Sequence, residues 1–341
     1  MLDDYKFLHQ IPEVGFKEFR TQEYLLTKLK KLNCFIKEIE PTGIIAYFNQ
    51  NETKTIAFRA EMDGLPIQEQ TNLSFKSNNG FMHACAHDAH MSILLNLCEY
   101  IANNHFKVNV VAIFQPSEES YGGSLKIIED SFFKSLNVSE VYAIHLWPNL
   151  PRGQLFTKEF LFPSATEIDI EIIGKESHLD GNGVNAIEVA STLLNKIKVS
   201  LEERFNCGKL IAEGKRNIKC LKARLECTYR TYQNPQLFLS SLEDVFQELE
   251  FLYSCQITYS FRTIPFLKND LKLIQNMQVS NLTKTFFQAE DFAFYSQSYK
   301  VLFLLLGCGE TADLHSANFN FDLSLLKVGF ESLKNILNSF I

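Results

Sequence analysis

No stretch of this 341-residue chain is apolar for long enough to cross a membrane; the longest unbroken apolar run, Val301–Leu306, has the length of a buried strand. Positive charge is in deficit. Lys and Arg number 33 against 40 Asp and Glu, a formal net charge of -7, so the basic footprint that phosphate backbones require is missing and nucleic acid is not an expected partner. The opening residues, Met1 to Lys6, offer neither a basic start nor an apolar stretch, and no signal peptide is read there. The eight cysteines (Cys34, Cys85, Cys98, Cys207, Cys220, Cys227, Cys255 and Cys308) show no disulfide-framework spacing. Free thiols in a cytoplasmic protein are the expectation. Repeats and low-complexity linkers are also missing. What remains is an ordinary globular composition, 46% hydrophobic and 21% charged, at a length that fits two domains.

Periodicity places the elements. Leu25, Leu26, Leu29 and Leu32 recur at helical spacing, with Thr21 as a candidate N-cap. Strand-like runs then alternate with helical ones: strand 55–59, helix 90–103, buried strand 108–114, a helix near 124–128 and strand 141–146. That alternation predicts an α/β domain with a mostly parallel sheet covered on both faces. Past Pro163 the pattern changes. Residues 165–174 and 221–231 alternate apolar and polar, as strands with one wet face do. Helical stretches 184–199 and 235–253 and a strand at 256–262 complete a smaller α+β domain of antiparallel sheet and two helices. The expected organisation is a first domain of residues 1–163 and 264–341, with residues 164–263 inserted. Strand 301–306 and an amphipathic final helix 324–340 return to the first domain.

Residues of metal-ligand type fall just after the predicted strands of the first domain: Glu61 and Asp63, then Glu118 and Glu119, then His145. Ligands bind beyond the carboxyl ends of parallel strands, so several strands delivering acids and imidazoles to one edge is a stronger signal than any one motif. The densest patch is Met82-His83-Ala84-Cys85-Ala86-His87-Asp88-Ala89-His90. A thiolate and an imidazole two residues apart can share one ion. His83 and His87 are four apart, but Ala84 stands where a zincin would carry its Glu. A lone histidine of this kind is an ordinary helix-start residue; three with a Cys and an Asp in nine residues are not. An adjacent acid pair such as Glu118-Glu119 usually marks a solvated loop. After a buried strand it can divide labour, one carboxylate on metal and one taking a proton from water.

The ordered stretches His9–Glu13, Phe16–Thr21, Arg59–Pro66, Met82–His90, Phe114–Glu119, Ala143–Pro148, Ala289–Phe292 and Leu314-His315 are similar to those of one family of metallopeptidases and amidohydrolases. That family contains N-acyl-amino-acid hydrolases, hippurate hydrolases and N-acetyldiaminopimelate deacetylases. The run from Ile11 to Leu26 resembles the N-acetyldiaminopimelate deacetylase branch most. The resemblance implies a hydrolase of linear amides acting on a small N-acyl amino acid in diaminopimelate and lysine biosynthesis. It implies Cys85, His87, Glu119, His145 and His315 as ligands of one or two divalent ions (Zn, Mn, Co or Ni), and Glu118 as general base. Asp63 falls where the family has an Asp near the metals. His178 matches a histidine of the smaller domain that polarises the scissile carbonyl, often from a partner subunit. Arg230 and Asn217 match positions that hold the substrate carboxylate or the oxyanion. The smaller domain is implied to be a lid through which a homodimer forms.

Bland readings stand beside these. His315 alone would be a surface histidine, Arg230 a solvated charge on a sheet face, and Glu290-Asp291 either a metal-proximal pair or an acidic helix start. The chain also departs from the family pattern. Glu61 stands where Asp is usual, Ala86 where Gly is usual, and an ordinary backbone is therefore expected at Ala86. The segment between the smaller domain's first helix and Asn217 is short. Neither the residues after His178 nor those after Asn217 carry the family's prolines. Hydrolysis of another N-acyl amino acid, hippurate included, is the alternative activity, and an idle metal-binding paralogue the alternative of another class.

Overall fold

The computed structural model describes residues 1–200, 204–275 and 277–341. In chain order the elements begin with α1 (Leu2–His9), α2 (Phe19–Leu29), β1 (Phe35–Ile39), β2 (Gly43–Phe48), β3 (Thr55–Glu61), α3 (His87–Ala102), β4 (Asn109–Gln115), α4 (Gly123–Glu129), α5 (Ser131–Ser135), β5 (Val138–Trp147) and β6 (Leu155–Thr157). There follow β7 (Phe160–Phe162), β8 (Ser164–Ile173), β9 (Ser177–His178), α6 (Ala186–Ser200), β10 (Phe205–Ala212), β11 (Ile218–Lys219), β12 (Lys222–Thr231), α7 (Pro235–Tyr253) and β13 (Gln256–Ile264). The chain closes with β14 (Leu267–Lys268), β15 (Val279–Asn281), β16 (Lys300–Gly307) and α8 (Ser324–Asn338).

Two compact units result. The first comprises Met1–Leu161, Lys268–Lys284 and Asp291–Ile341; the second comprises Phe162–Leu267 and Thr285–Glu290. Residues 285–290 thus pack with the second unit although their chain neighbours on the C-terminal side belong to the first.

The first unit is built on an eight-stranded sheet of order β1-β2-β4-β3-β5-β16-β6-β15. Its middle, β4-β3-β5-β16, is parallel. Strands β3 and β4 are buried at every residue, as strands covered on both faces must be. The added strands β1 and β2 run antiparallel, as does β6 against β16. Helix α3 is buried on most of its surface, and α8 lies against it, with Leu326, Gly329, Leu333 and Leu337 of α8 buried. At Gly329 a Cβ would meet Ile93 Cδ1 at 2.6 Å, so a larger residue there would have to push the Ile93 side chain aside.

The second unit carries the four-stranded antiparallel sheet β10-β12-β8-β13. Ile168, Ile170 and Ile172 of β8 are buried with Val189, Leu193, Phe238, Leu242 and Phe246 of α6 and α7, while Glu167 and Asp169 are exposed. This is the one-wet-face alternation read in the sequence. No helix among the described residues is long and apolar enough to cross a membrane.

Candidate metal centre

The parallel strands deliver their acids at their carboxyl ends. Asp63 lies just past β3, Glu118 and Glu119 just past β4, and His145 two residues before the end of β5. His87 opens α3, Cys85 precedes it, and His315 lies in the segment between β16 and α8. All belong to the first unit.

The ligand-type atoms converge. Cys85 Sγ is 3.5 Å from His315 Nε2 and 3.7 Å from His145 Nε2. His315 Nε2 is 3.1 Å from Glu119 Oε1, and Cys85, Glu119 and His315 form one cluster of potential ligands, His87, Glu118 and Glu119 another. Hydrogen bonds decide which nitrogens face inward. A carbonyl only accepts, so His87 donates from Nδ1 to Asp63 O (2.8 Å) and His145 donates from Nδ1 to Leu146 O (2.7 Å). Both Nε2 atoms therefore face inward, on the side where a metal would take their lone pairs. His87 Nε2 is buried without a hydrogen bond, 4.0 Å from Glu118 Oε2. Asp63 Oδ2 accepts the Glu119 N–H (2.9 Å), while its Oδ1 is buried and has no hydrogen-bond partner. Buried polar atoms are rarely left so, and two orphans amid thiol, imidazole and carboxylate are what a divalent cation would satisfy. The residues therefore fit the ion expected of them.

Electrostatics agree. Burial would pull His87 down, but Asp63, Glu61 and Glu119 outweigh it and hold the imidazole up at about 10. Burial, with Glu119 and Glu118, pushes the Cys85 thiol far up. The centre is short of positive charge, and a cation supplies it while converting the thiol to thiolate.

The backbone around the centre is strained. Ala86 has φ 61 and ψ 22, the left-handed region, which corrects the expectation of an ordinary backbone there. The turn must swing Cys85 and His87 toward one point as α3 begins, and alanine tolerates at about 1–2 kcal/mol what glycine would adopt freely. Ser117 (φ 53), Tyr121 (φ 45) and His315 (φ 64) share that region. Ser117 is held by a group not foreseen from the sequence. Glu18 is fully buried, accepts the Ser117 N–H (2.8 Å) and the Thr42 hydroxyl (2.5 Å), and burial pushes its carboxyl up to about 7. Gly15 lies beneath it, where a Cβ would be 2.5 Å from Ser117 Oγ. Arg59 was also missed. It is buried, donates to Glu61, to Gln115 Oε1 (3.0 Å) and to Asp291 Oδ1 (2.8 Å). An arginine inside an otherwise apolar strand was the available signal. Asp291, read as either metal-proximal or a helix start, is engaged by Arg59, by Gln115 and by the Ser124 N–H (3.0 Å).

The remaining expected residues lie in the second unit. His178 and Asn217 are together: Asn217 Nδ2 is 3.2 Å from His178 Nε2, and His178 Nδ1 is 3.2 Å from Asp180 Oδ1. Arg230 sits on β12 opposite Ala165 of β8, with its Nη1 buried and unbonded, which is not the state of a solvated surface charge.

The family model described as Peptidase family M20/M25/M40 matches residues 57–339. The chain belongs to that family. Among its M20 relatives, the N-acetyldiaminopimelate deacetylase of Lactobacillus helveticus is 31% identical, over 97% of this chain and 95% of that one. The protein of the same name from Anoxybacillus flavithermus is 36% identical over 73% and 70%. A Bacillus subtilis crystal structure, described as a dinuclear metal binding peptidase from the M20 family, superposes with a TM-score of 0.84 at 28% identity, covering 99% and 97%. The parallel-sheet unit and the separate antiparallel unit are accordingly an M20 architecture.

Proposed function

We propose that this chain is a cytoplasmic deacetylase of an N-acetylated diamino acid, N-acetyl-diaminopimelate above others, in diaminopimelate and lysine biosynthesis. The observation that carries the reading is the pair of orphaned atoms, His87 Nε2 and Asp63 Oδ1, buried among Cys85, Glu119, His145 and His315. The curated relatives named above support the substrate.

Cys85, His87, Glu119, His145 and His315 would hold one or two divalent ions, with Zn, Mn, Co and Ni all compatible with this mixed donor set. Such an ion, when bound, supplies a Lewis acid that lowers the pKa of water and polarises a carbonyl. Glu118 takes the proton of the attacking water and returns it to the leaving amine. Asp63 orients His87 through its backbone carbonyl and Glu119 through its carboxylate. His178 and Asn217 meet the oxyanion that forms at the amide carbon, and Arg230 pairs with the substrate carboxylate, for which a planar guanidinium is suited. The second unit is proposed as the lid through which two copies form a homodimer, and His178 acts on the substrate of its own or the neighbouring copy.

The test is amine release from N-acetyl-diaminopimelate, other N-acetyl amino acids and hippurate, with metal-reconstituted wild type beside Glu118→Gln. The wild type turns over N-acetyl-diaminopimelate best, and Glu118→Gln loses about 10²–10⁴-fold in kcat with its metal content intact. Preference for hippurate would move the chain to the alternative activity. Failure on every substrate, in protein that holds its metal, would leave an idle paralogue.

A further inference from the structure

Glu61, His87, His90 and His145 bring four ligand-type atoms within 4.8 Å of one another, all in buried side chains. By composition this is a second metal cluster. Two of the four have no atom to give. The Leu146 N–H lies 2.9 Å from His90 Nε2, and a peptide N–H only donates, so His90 Nε2 is the acceptor and its ring proton sits on Nδ1. Nδ1 in turn is 2.9 Å from Glu61 Oε2. The other Glu61 oxygen is taken by Arg59. Both nitrogens of His90 and both oxygens of Glu61 are thus engaged, and burial of the Glu61 carboxylate is offset by Arg59 and His90 on either side.

What this chain of bonds holds is the backbone of one residue, Leu146. Pairing of β3 with β5 ends at Arg59 and Ala143. Beyond that point the Leu146 N–H goes to a histidine ring instead of a neighbouring strand. The Leu146 carbonyl accepts from His145 Nδ1 at 2.7 Å. The two peptide groups that meet at Leu146 Cα are tied in series, the first held through its N–H by His90 and the second holding His145 through its oxygen. The two rings also pack, with centroids 4.5 Å apart. The direction of His145 Nε2, 3.7 Å from Cys85 Sγ, follows from that stretch of backbone.

We propose that His90, fixed in its Nδ1–H tautomer by Glu61, is a positioning residue for His145, setting through the backbone of Leu146 the direction in which His145 Nε2 meets the ion. The proposal rests on the metal-hydrolase reading above. It assigns Glu61, one methylene longer than the acid expected at its position, to His90 and Arg59 and not to the ion.

Two measurements test it. In metal-free wild type, ¹⁵N spectra of the histidine rings, with His90 assigned by its absence in His90→Gln, show a neutral Nδ1–H tautomer. Co(II) titration against a competing chelator then compares wild type, His90→Leu and His90→Gln, because a Gln amide oxygen can still accept the Leu146 N–H. His90→Leu binds Co(II) about 10–100-fold more weakly, the usual loss when a ligand's hydrogen-bonding support is removed. Its ligand-field bands shift while the thiolate charge-transfer band from Cys85 persists, and His90→Gln lies closer to wild type in both. Wild-type affinity and an unchanged spectrum in both variants would overturn the proposal, as would an Nε2–H tautomer. Loss of a whole Co(II) equivalent from both variants would make His90 a ligand and overturn it too. Wild type that takes up no Co(II) would sink the metal-hydrolase reading, and this proposal with it.

Discussion

Two buried histidines, His87 and His9, show how similar residues serve different ends. His87 and Asp88 are consecutive in the first turn of α3, yet they face separate buried clusters. Asp88 turns toward the N-terminal helix. There His9 donates from Nδ1 to Asp88 Oδ2 (2.6 Å) and from Nε2 to Glu69 Oε1 (3.2 Å), while Glu69 also accepts the Thr71 hydroxyl and the Ser77 N–H (2.7 Å). Every heteroatom of that histidine is used, and its charge is balanced by two carboxylates. His87 faces the other way, into a set where its own Nε2 and an oxygen of Asp63 have nothing to bond. A closed set holds a fold together; an open one, equally buried, is waiting for a partner that is not protein.

Replacing His9 attacks the closed set and has the largest expected effect on stability. His9→Ala leaves Asp88 and Glu69 buried without their cation, and is expected to lose about 3–5 kcal/mol in urea unfolding while leaving the metal ligands in place. The pH dependence carries the same signature. Burial pulls His9 down, but Asp88 and Glu69 raise it from 6.5 to about 10, so its contribution is complete below about pH 6.5 and lost as pH rises through about 10. Burial raises Glu69, but His9 and Thr71 lower it from 4.5 to about 2, so its share is present above about pH 4.5 and lost as pH falls toward 2. The cluster is therefore at full strength between about pH 4.5 and 6.5, and wild type should lose its advantage over His9→Ala on either side. An advantage that does not change with pH would mean that the histidine is not charged.

The open set responds to metal instead. Adding a divalent ion at 100 times its dissociation constant should raise the stability of metal-free protein by about 2.7 kcal/mol. Cys85→Ala at the same metal concentration should gain less, which thermal unfolding with and without metal will read. Equal gains would place the ion elsewhere. The smallest effect tests the strain at the junction between the two sets. Ala86→Gly removes a left-handed alanine and should stabilise the metal-free protein by about 0.5–1 kcal/mol, the relief of about 1–2 being partly offset by glycine's added freedom in the unfolded chain. Destabilisation would mean that the alanine methyl packs usefully in spite of its φ.

These clusters also mark where sequence reading succeeds and stops. The long buried strands and the two amphipathic helices of the second unit follow from local periodicity, which needs only neighbours in the chain. Cys85 and His87 were legible as candidates because both lie in one short patch, and the acids after β3 and β4 because strand ends share an edge. Strands β1 and β2 were not foreseen, since short runs such as Phe35–Ile39 with half-exposed residues carry no clear alternation. The N-cap expected at Thr21 is Glu18 instead, two residues before it being the first helical position; Thr21 is already inside α2 and gives its hydroxyl to Glu13 Oε2 (3.0 Å). Glu18, Arg59 and His90 escaped for one reason. Each acts through partners 24 or more residues away or through a backbone group, and nothing local in the chain announces such a bond.

The place of β16 in the sheet has a consequence for how the molecule comes into being. This strand, residues 300–307, lies between β5 and β6, yet it is made after the whole of the second unit. During synthesis the first 299 residues leave β5 with one side of its backbone open along a strand that is almost wholly buried in the finished fold, the kind of edge that recruits foreign strands. His315 arrives later still, so the proposed set of ion ligands cannot close before that edge has been sealed. A chain stalled or truncated before β16 would on that proposal be both sticky and unable to take up its metal in full, and the two defects would be repaired by the same residues, 300–341.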